Sequence, residues 1–453
     1  MSMADLATTG RPDDGRRPQS PLGHDRRCIG LLPLLLLGFA LTPCPAGAFF
    51  SDADVSSILV NRDRAARFDA PIVLLAHDTH VRLLGNGPRR TEEHLLWYVR
   101  EPDAPATQAI RRPRIRVGQR LERFILQRCR IYRGADTLGV PPEAWELAAI
   151  SGWPPAAYRS WSEATAELPA LRRGDVVEIA YAIDNQWSQR RQASHWAAIL
   201  LPHPEAPTLE RHIVLNHPAA LEGRARVFGA ATTVIRHYGA EEPEWEILTG
   251  NLPPSGMGQV PPRMLFASDT PWSTVHRSLG PHYRHGARRC AESLAAVGDS
   301  LLTAARPTRA RLAAVLEYVE NHWQRVPRPL RTSDFYPRSP EEILNQRTAD
   351  RLDRAMLVMG LGQAAKLQIE VFLAASTEEG FRPEFASPQQ FDRVLVGTPV
   401  IEEGRFLLID PWAGELTSAE KAARLPLLFG ITEAVAGFRE VTDDGQLVSR
   451  SFP

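Results

Sequence analysis

Ser339–Leu361 reads SPEEILNQRTADRLDRAMLVMGL, and Pro388–Trp412 reads PQQFDRVLVGTPVIEEGRFLLIDPW. In the first stretch Leu352, Ala355, Met356, Met359 and Leu361 leave almost no polar face, which is the pattern of a helix enclosed by a core. The spacing predicts that helix over Asn345–Lys366. The second stretch predicts strands at Phe391–Val396 and Arg405–Asp410, following one at Ile369–Ala375. Upstream, Trp272–His285, Cys290–Ala304 and Thr308–Gln324 keep helical spacing, the last with Leu312, Val315, Leu316 and Val319 on one face. Helices leading into an antiparallel sheet make an α+β domain.

From Asp69 to about residue 265 the chain has a different character. APIVLLAHDTHVRLLG, EEHLLWYVR, RIRVGQRLERFILQRCRIYRG and DVVEIAYAIDN are short apolar or alternating runs bounded by turn residues, as in an antiparallel β-sandwich. Trp196–Leu201, Glu210–Asn216 and Val227–Tyr238 are further expected strands. The proline-rich Leu252–Arg263 reads as a linker or long loop. At 453 residues more than one core is expected. The reading is a leader over 1–48, a β-sandwich over 49–265, an α+β core over 266–420, and a tail over 421–453 packed on that core.

The two opening stretches resemble the transglutaminase-like (papain-like) superfamily. In that family a cysteine opens the buried helix in a Gly-Asp-Cys-x-Asp context; here Ala349-Asp350-Arg351-Leu352-Asp353 stands there. A family histidine in Phe-Asp-His-Val corresponds to Phe391-Asp392-Arg393-Val394, and the orienting aspartate corresponds to Asp410 in LLIDPW. VLLAHDTHVRLLGNG, WSEATAELPALRRGDVVEIAYAIDN and SHWAAILLPHPEAPTLERHIVLNHP resemble a bacterial domain of unknown function that commonly precedes transglutaminase-like domains in exported proteins. Together the resemblances span residues 66–415 and imply a papain-like α+β core behind the sandwich.

They also imply lost chemistry. A thiol at a helix start gains from free amides and the helix dipole, which favour thiolate. A guanidinium stays protonated and offers only donors, so Arg351 cannot attack a carbonyl and Arg393 cannot accept a proton. The expectation is a catalytically inactive protein acting by binding or assembly with a protein, peptide or glycan partner. The alternative is an active peptidase, amidase or acyl transferase with atypical residues. Catalytic residues are expected to be none, and no cofactor or metal is expected. A binding surface would comprise Arg351, Asp353, Arg393, Asp410 and Trp412. The plainer expectation for the arginines is that one pairs with Asp410; the other is that the site takes an anion such as an acidic peptide end.

Arg26 and Arg27, the apolar run Cys28–Leu41 and Ala46-Gly47-Ala48 form a secretory signal pattern. The run is short for a bilayer span. A periplasmic or secreted protein cleaved near Ala48 is expected, with lipidation at Cys44 as the alternative. Cleavage would leave Cys129 and Cys290, either paired or separately buried. Zero formal net charge gives no case for a nucleic-acid partner. His282, His285 and Cys290 lack the second half of a zinc site. His77 and His80 fall on opposite faces of a strand, and Arg112, Arg114 and Arg116 read as one solvated or Glu-paired strand face.

Overall fold

The computed structural model describes residues 52–450, apart from 84–88, 119–121, 151–160, 186–195, 204, 220–221, 231, 238–242, 255–261, 269–270, 328–334, 376–380, 417–426, 434–435 and 443–445. The leader, with Cys44 and Ala48, lies outside the described residues. No described helix is long and apolar enough to cross a membrane.

The β-rich half is built on an eight-stranded sheet. Its order is Ile235–His237, Glu244–Leu252, Thr208–Asn216, Ile72–Leu83, Arg89–Val99, Val176–Asn185, Glu122–Arg133 and Asp136–Gly139. Neighbours run antiparallel with one exception, since Ile72–Leu83 and Thr208–Asn216 pair in parallel. A three-stranded sheet of Gly223–Phe228, Arg263–Ser268 and Trp196–Leu200 packs on it. Val81, Leu83, Ile213, Leu215 and Ile247 meet Leu201, Met264 and Phe266 there. Two facing sheets give the sandwich its core.

Three expectations need correcting. Val227–Tyr238 is not one strand: Gly223–Phe228 and Ile235–His237 belong to different sheets. The helix Pro105–Arg111 runs up to Arg112, so only Arg114 and Arg116 lie on the Arg114–Val117 strand. Arg112 pairs instead with Glu167. Residue 265 falls inside the fully buried strand Arg263–Ser268, whose pairing ties it to the sandwich.

The α+β core places the helices Trp272–Ser293, Ala295–Ala304, Thr308–His322 and Arg351–Ala364 against a seven-stranded sheet. The sheet order is Glu415–Leu416, Arg405–Asp410, Arg393–Val400, Glu370–Ala375, Leu427–Gly430, Gly437–Val441 and Leu447–Arg450. The last three strands come from the expected tail, so this segment completes the sheet and does more than lie on it. Leu352 to Gly362 are buried without interruption, as the apolar reading of that helix required.

The expected helix over Asn345–Lys366 is two helices, Pro340–Gln346 and Arg351–Ala364. Arg347 between them takes φ 54°, a left-handed conformation that ends a helix. Asp350 then starts the next one with a capping box. The Trp272–Ser293 helix runs unbroken past Pro281. Val275, Leu279, Tyr283, Ala287 and Cys290 bury one continuous stripe that outweighs the lost proline hydrogen bond. Gly286 and Gly360 allow this helix to meet Arg351–Ala364 closely. A Cβ on Gly286 would lie 2.1 Å from Met356 Sδ, and one on Gly360 would lie 2.6 Å from the Ala287 carbonyl oxygen.

Candidate functional site

Three elements converge where the resemblance placed a reacting centre. Arg351 is the first residue of its helix, Arg393 opens Arg393–Val400, and Asp410 closes Arg405–Asp410. The two strands are antiparallel neighbours, and Arg351 Nη1 donates to the Asp392 carbonyl oxygen at 3.4 Å. Residues distant in sequence therefore meet.

The helix start is built by its own aspartates. Asp350 Oδ1 accepts from the amides of Leu352 at 2.8 Å and Asp353 at 3.0 Å. Asp353 Oδ2 accepts from the Asp350 amide at 3.1 Å. Arg338 closes on Asp353 from outside: its amide donates to Oδ1 and its Nε to Oδ2, both at 2.8 Å. Asp353 is wholly buried, so it is removed from the expected ligand surface. It holds the helix. Burial works against the Arg338 charge, yet the Asp353 and Asp350 carboxylates overcome it and raise its pKa.

Asp410 is held differently. Its Oδ1 accepts from the amides of Trp412 at 2.9 Å and Ala413 at 3.3 Å. Its Oδ2 lies 4.0 Å from Arg393 Nη1, the limit of an ion pair, and the Arg393 side chain is 45% exposed. Arg351 does not turn to Asp410. Its guanidinium lies 5.3 Å from the centre of the Trp412 ring, within the range of a cation–π contact. Arg325 approaches the same ring at 5.9 Å while paired with Glu320 at 2.8 Å. The expected Asp410 pairing is thus met by Arg393 alone, and loosely.

Arg354 escaped the sequence reading. It is 1% exposed, donates Nε to the Pro411 carbonyl at 2.7 Å and Nη1 to that of Trp323 at 3.3 Å, and pairs with Glu320. It anchors the turn that carries Trp412. A buried position three residues beyond the helix start occupied by arginine was the available signal.

The cysteines stand elsewhere. Both are free and buried, Cys129 in the sandwich and Cys290 in the α+β core, so the disulfide alternative is not realised. Burial pushes both thiols up to about 12. His282 and His285 are exposed on the helix whose buried face carries Cys290.

Among solved structures the chain is similar to a candidate protease from Parabacteroides distasonis, with TM-score 0.69 and 11% identity over 81% of this chain and 71% of that one. The fold is protease-like. A candidate cysteine protease from Cytophaga hutchinsonii matches 57% of this chain and 86% of its own at 11% identity and TM-score 0.25. An M1 zinc metallopeptidase from Deinococcus radiodurans matches 44% of this chain and 42% of its own at 13% identity and TM-score 0.25. The last two scores are too low to carry an argument. No family model and no curated protein matches the chain.

Proposed function

We propose that this is an exported, non-hydrolytic protein of the transglutaminase-like class that acts by binding a protein, peptide or glycan partner through an anionic group. The observation that carries the proposal is the pair of guanidiniums at this site, Arg393 facing Asp410 and Arg351 lying over Trp412. Arg351 and Arg393 occupy the helix start and strand start, while neither buried thiol belongs to this site. Nucleophile–base chemistry needs a thiol or hydroxyl within hydrogen-bond reach of a proton acceptor, and guanidinium supplies neither function.

Binding is favoured over a sealed site by the state of the two cations. Arg351 is half-buried and forms no ion pair among the described residues. Arg393 is exposed and shares its carboxylate with two backbone amides. A planar cation held against Trp412 keeps its donor edges in a fixed plane, suited to a carboxylate. The sandwich and the leader pattern fit a role outside the cytoplasm.

The test combines turnover with binding. Purified protein incubated with fluorescent casein and an amine donor should give neither cleavage nor crosslinking. Turnover that disappears in Asp410→Asn would refute the proposal. A fluorescent peptide ending in Glu-Glu should bind with an affinity that falls on adding salt and on Arg351→Ala. Equal binding of its C-terminal amide and of a neutral peptide would remove the anion-binding half.

A further inference from the structure

The outer edge of the eight-stranded sheet carries two imidazoles and two carboxylates on one face. Ile235–His237 pairs with Glu244–Leu252 so that His237 lies opposite Glu244 and Ile235 opposite Glu246. On the next strand Asn216 lies opposite Glu244 and Val214 opposite Glu246, with His212 two residues before Val214. The period of two puts His237, Glu244, Glu246, His212 and Asn216 on the same side.

The side chains converge. His237 Nε2 lies 2.6 Å from Glu246 Oε2 and 3.9 Å from Glu244 Oε1. His212 Nε2 reaches the other Glu246 oxygen, Oε1, at 3.0 Å. One ligand atom from each of His237, Glu244 and Glu246 falls within 4.8 Å of the others. Other groups support them: Asn216 Nδ2 donates to Glu244 Oε2 at 3.1 Å, and His212 Nδ1 faces the buried Asp78 carboxyl at 3.7 Å.

We infer that His237, Glu244 and Glu246 hold a divalent transition-metal ion, zinc foremost, with His212 hydrogen-bonded to Glu246 behind them. Two carboxylates neutralise a divalent ion, and a neutral imidazole completes a three-ligand nitrogen–oxygen set suited to zinc. Ligand atoms about 2.0–2.1 Å from a tetrahedral zinc stand roughly 3.3 Å apart, so only small movements are needed. An imidazole behind Glu246 and an amide behind Glu244 are the outer supports that metal ligands normally have. Ordinary hydrogen bonding accounts for both imidazoles on Glu246, since a carboxylate accepts at each oxygen. It does not account for a second carboxylate, Glu244, steered by Asn216 toward His237. An ion here would clamp a three-residue edge strand to its neighbours and blunt an exposed sheet edge. The inference is independent of the site around Asp410.

The experiment is a calorimetric zinc titration of purified, chelator-treated full-length protein in phosphate-free buffer. One ion per chain should bind, and His237→Ala and Glu246→Gln should each weaken it about tenfold or more. His322→Ala, on an exposed helix end in the other half, should leave it unchanged. Cobalt(II) substitution should give a visible absorption band that is lost in His237→Ala. Zinc should also shield His237 from diethyl pyrocarbonate. Absence of saturable binding overturns the inference, and so does binding equal in wild type and both variants, which would mark an adventitious ion only. His237 is 47% exposed and Glu246→Gln keeps the side-chain shape, so loss of binding is separable from loss of fold by circular dichroism.

Discussion

Asp353 and Asp410 are both carboxylates facing arginine in the same α+β core, and they do opposite things. Asp353 is sealed, with two contacts at 2.8 Å from Arg338 and a third from the Asp350 amide. Asp410 stands partly in solvent, with its arginine at 4.0 Å. The contrast shows how a helix start can be fixed rigidly while the residues it presents stay available. Rigidity lies behind Arg351, and looseness lies in front of it.

Breaking the sealed pair is expected to have the largest effect. Asp353→Ala leaves a mostly buried Arg338 without its partner, which costs about 3–5 kcal/mol and should shift the urea midpoint strongly. An Arg338→Ala loss below about 1 kcal/mol would place the pair among surface contacts and erase the contrast. A third carboxylate extends the comparison to one with no tight guanidinium. Asp78 is 3% exposed, between His94 at 3.8 Å and His212 at 3.7 Å. Burial foremost, with help from Glu93 and Glu210 and against Arg211, pushes its carboxyl up to about 8. A folded pKa above the unfolded value means the native state holds the proton more tightly. That contribution is complete below about pH 4 and is lost as pH rises through about 8, by at most about 1.4 kcal/mol per pH unit. Melting temperatures of Asp78→Asn should therefore depend less on pH across this window than those of wild type.

Removing the cap by Asp350→Ala should cost about 1–2 kcal/mol, read from the same urea curves. Arg393→Ala should change stability by no more than about 0.5 kcal/mol while lowering affinity for the acidic peptide. A large stability loss with unchanged affinity would make Arg393 a structural partner like Arg338. The smallest signal is expected from a thiol probe at neutral pH, since both buried cysteines hold their protons. Fast labelling of folded protein would reopen the case for a nucleophile.

The expectation that Arg351, Arg393 and Asp410 share one site came from the resemblance to the transglutaminase-like superfamily, while local patterns supplied only the capped apolar helix and the strands that carry them. The same local logic gave the β-rich half and the α+β half. It failed where pairing is non-local: the parallel contact of Ile72–Leu83 with Thr208–Asn216 joins strands far apart in sequence, and no periodicity reports that. It failed again at Arg347, where a left-handed residue divides one apolar pattern into two helices. The helix expected through Pro281 to His285 runs on to Ser293, and the next begins at Ala295 rather than Cys290, because one buried stripe continues across the expected break. Which partner Arg351 takes, Trp412 or Asp410, depends on side-chain reach in three dimensions and left no trace in the spacing.

The Glu370–Ala375 strand pairs on one side with Arg393–Val400 and on the other with Leu427–Gly430. Trp272, at the head of the first core helix, packs its ring against Phe429 and Phe438. A ribosome delivering the chain from the amino end thus releases one half of this aromatic lock more than 150 residues before the other. Until residues 427–441 emerge, the middle of the sheet has an unzipped flank and the Trp272 indole has only its contacts with Phe381, Pro383 and Phe391. The central strand of the core gains its second neighbour only from the last strands of the chain.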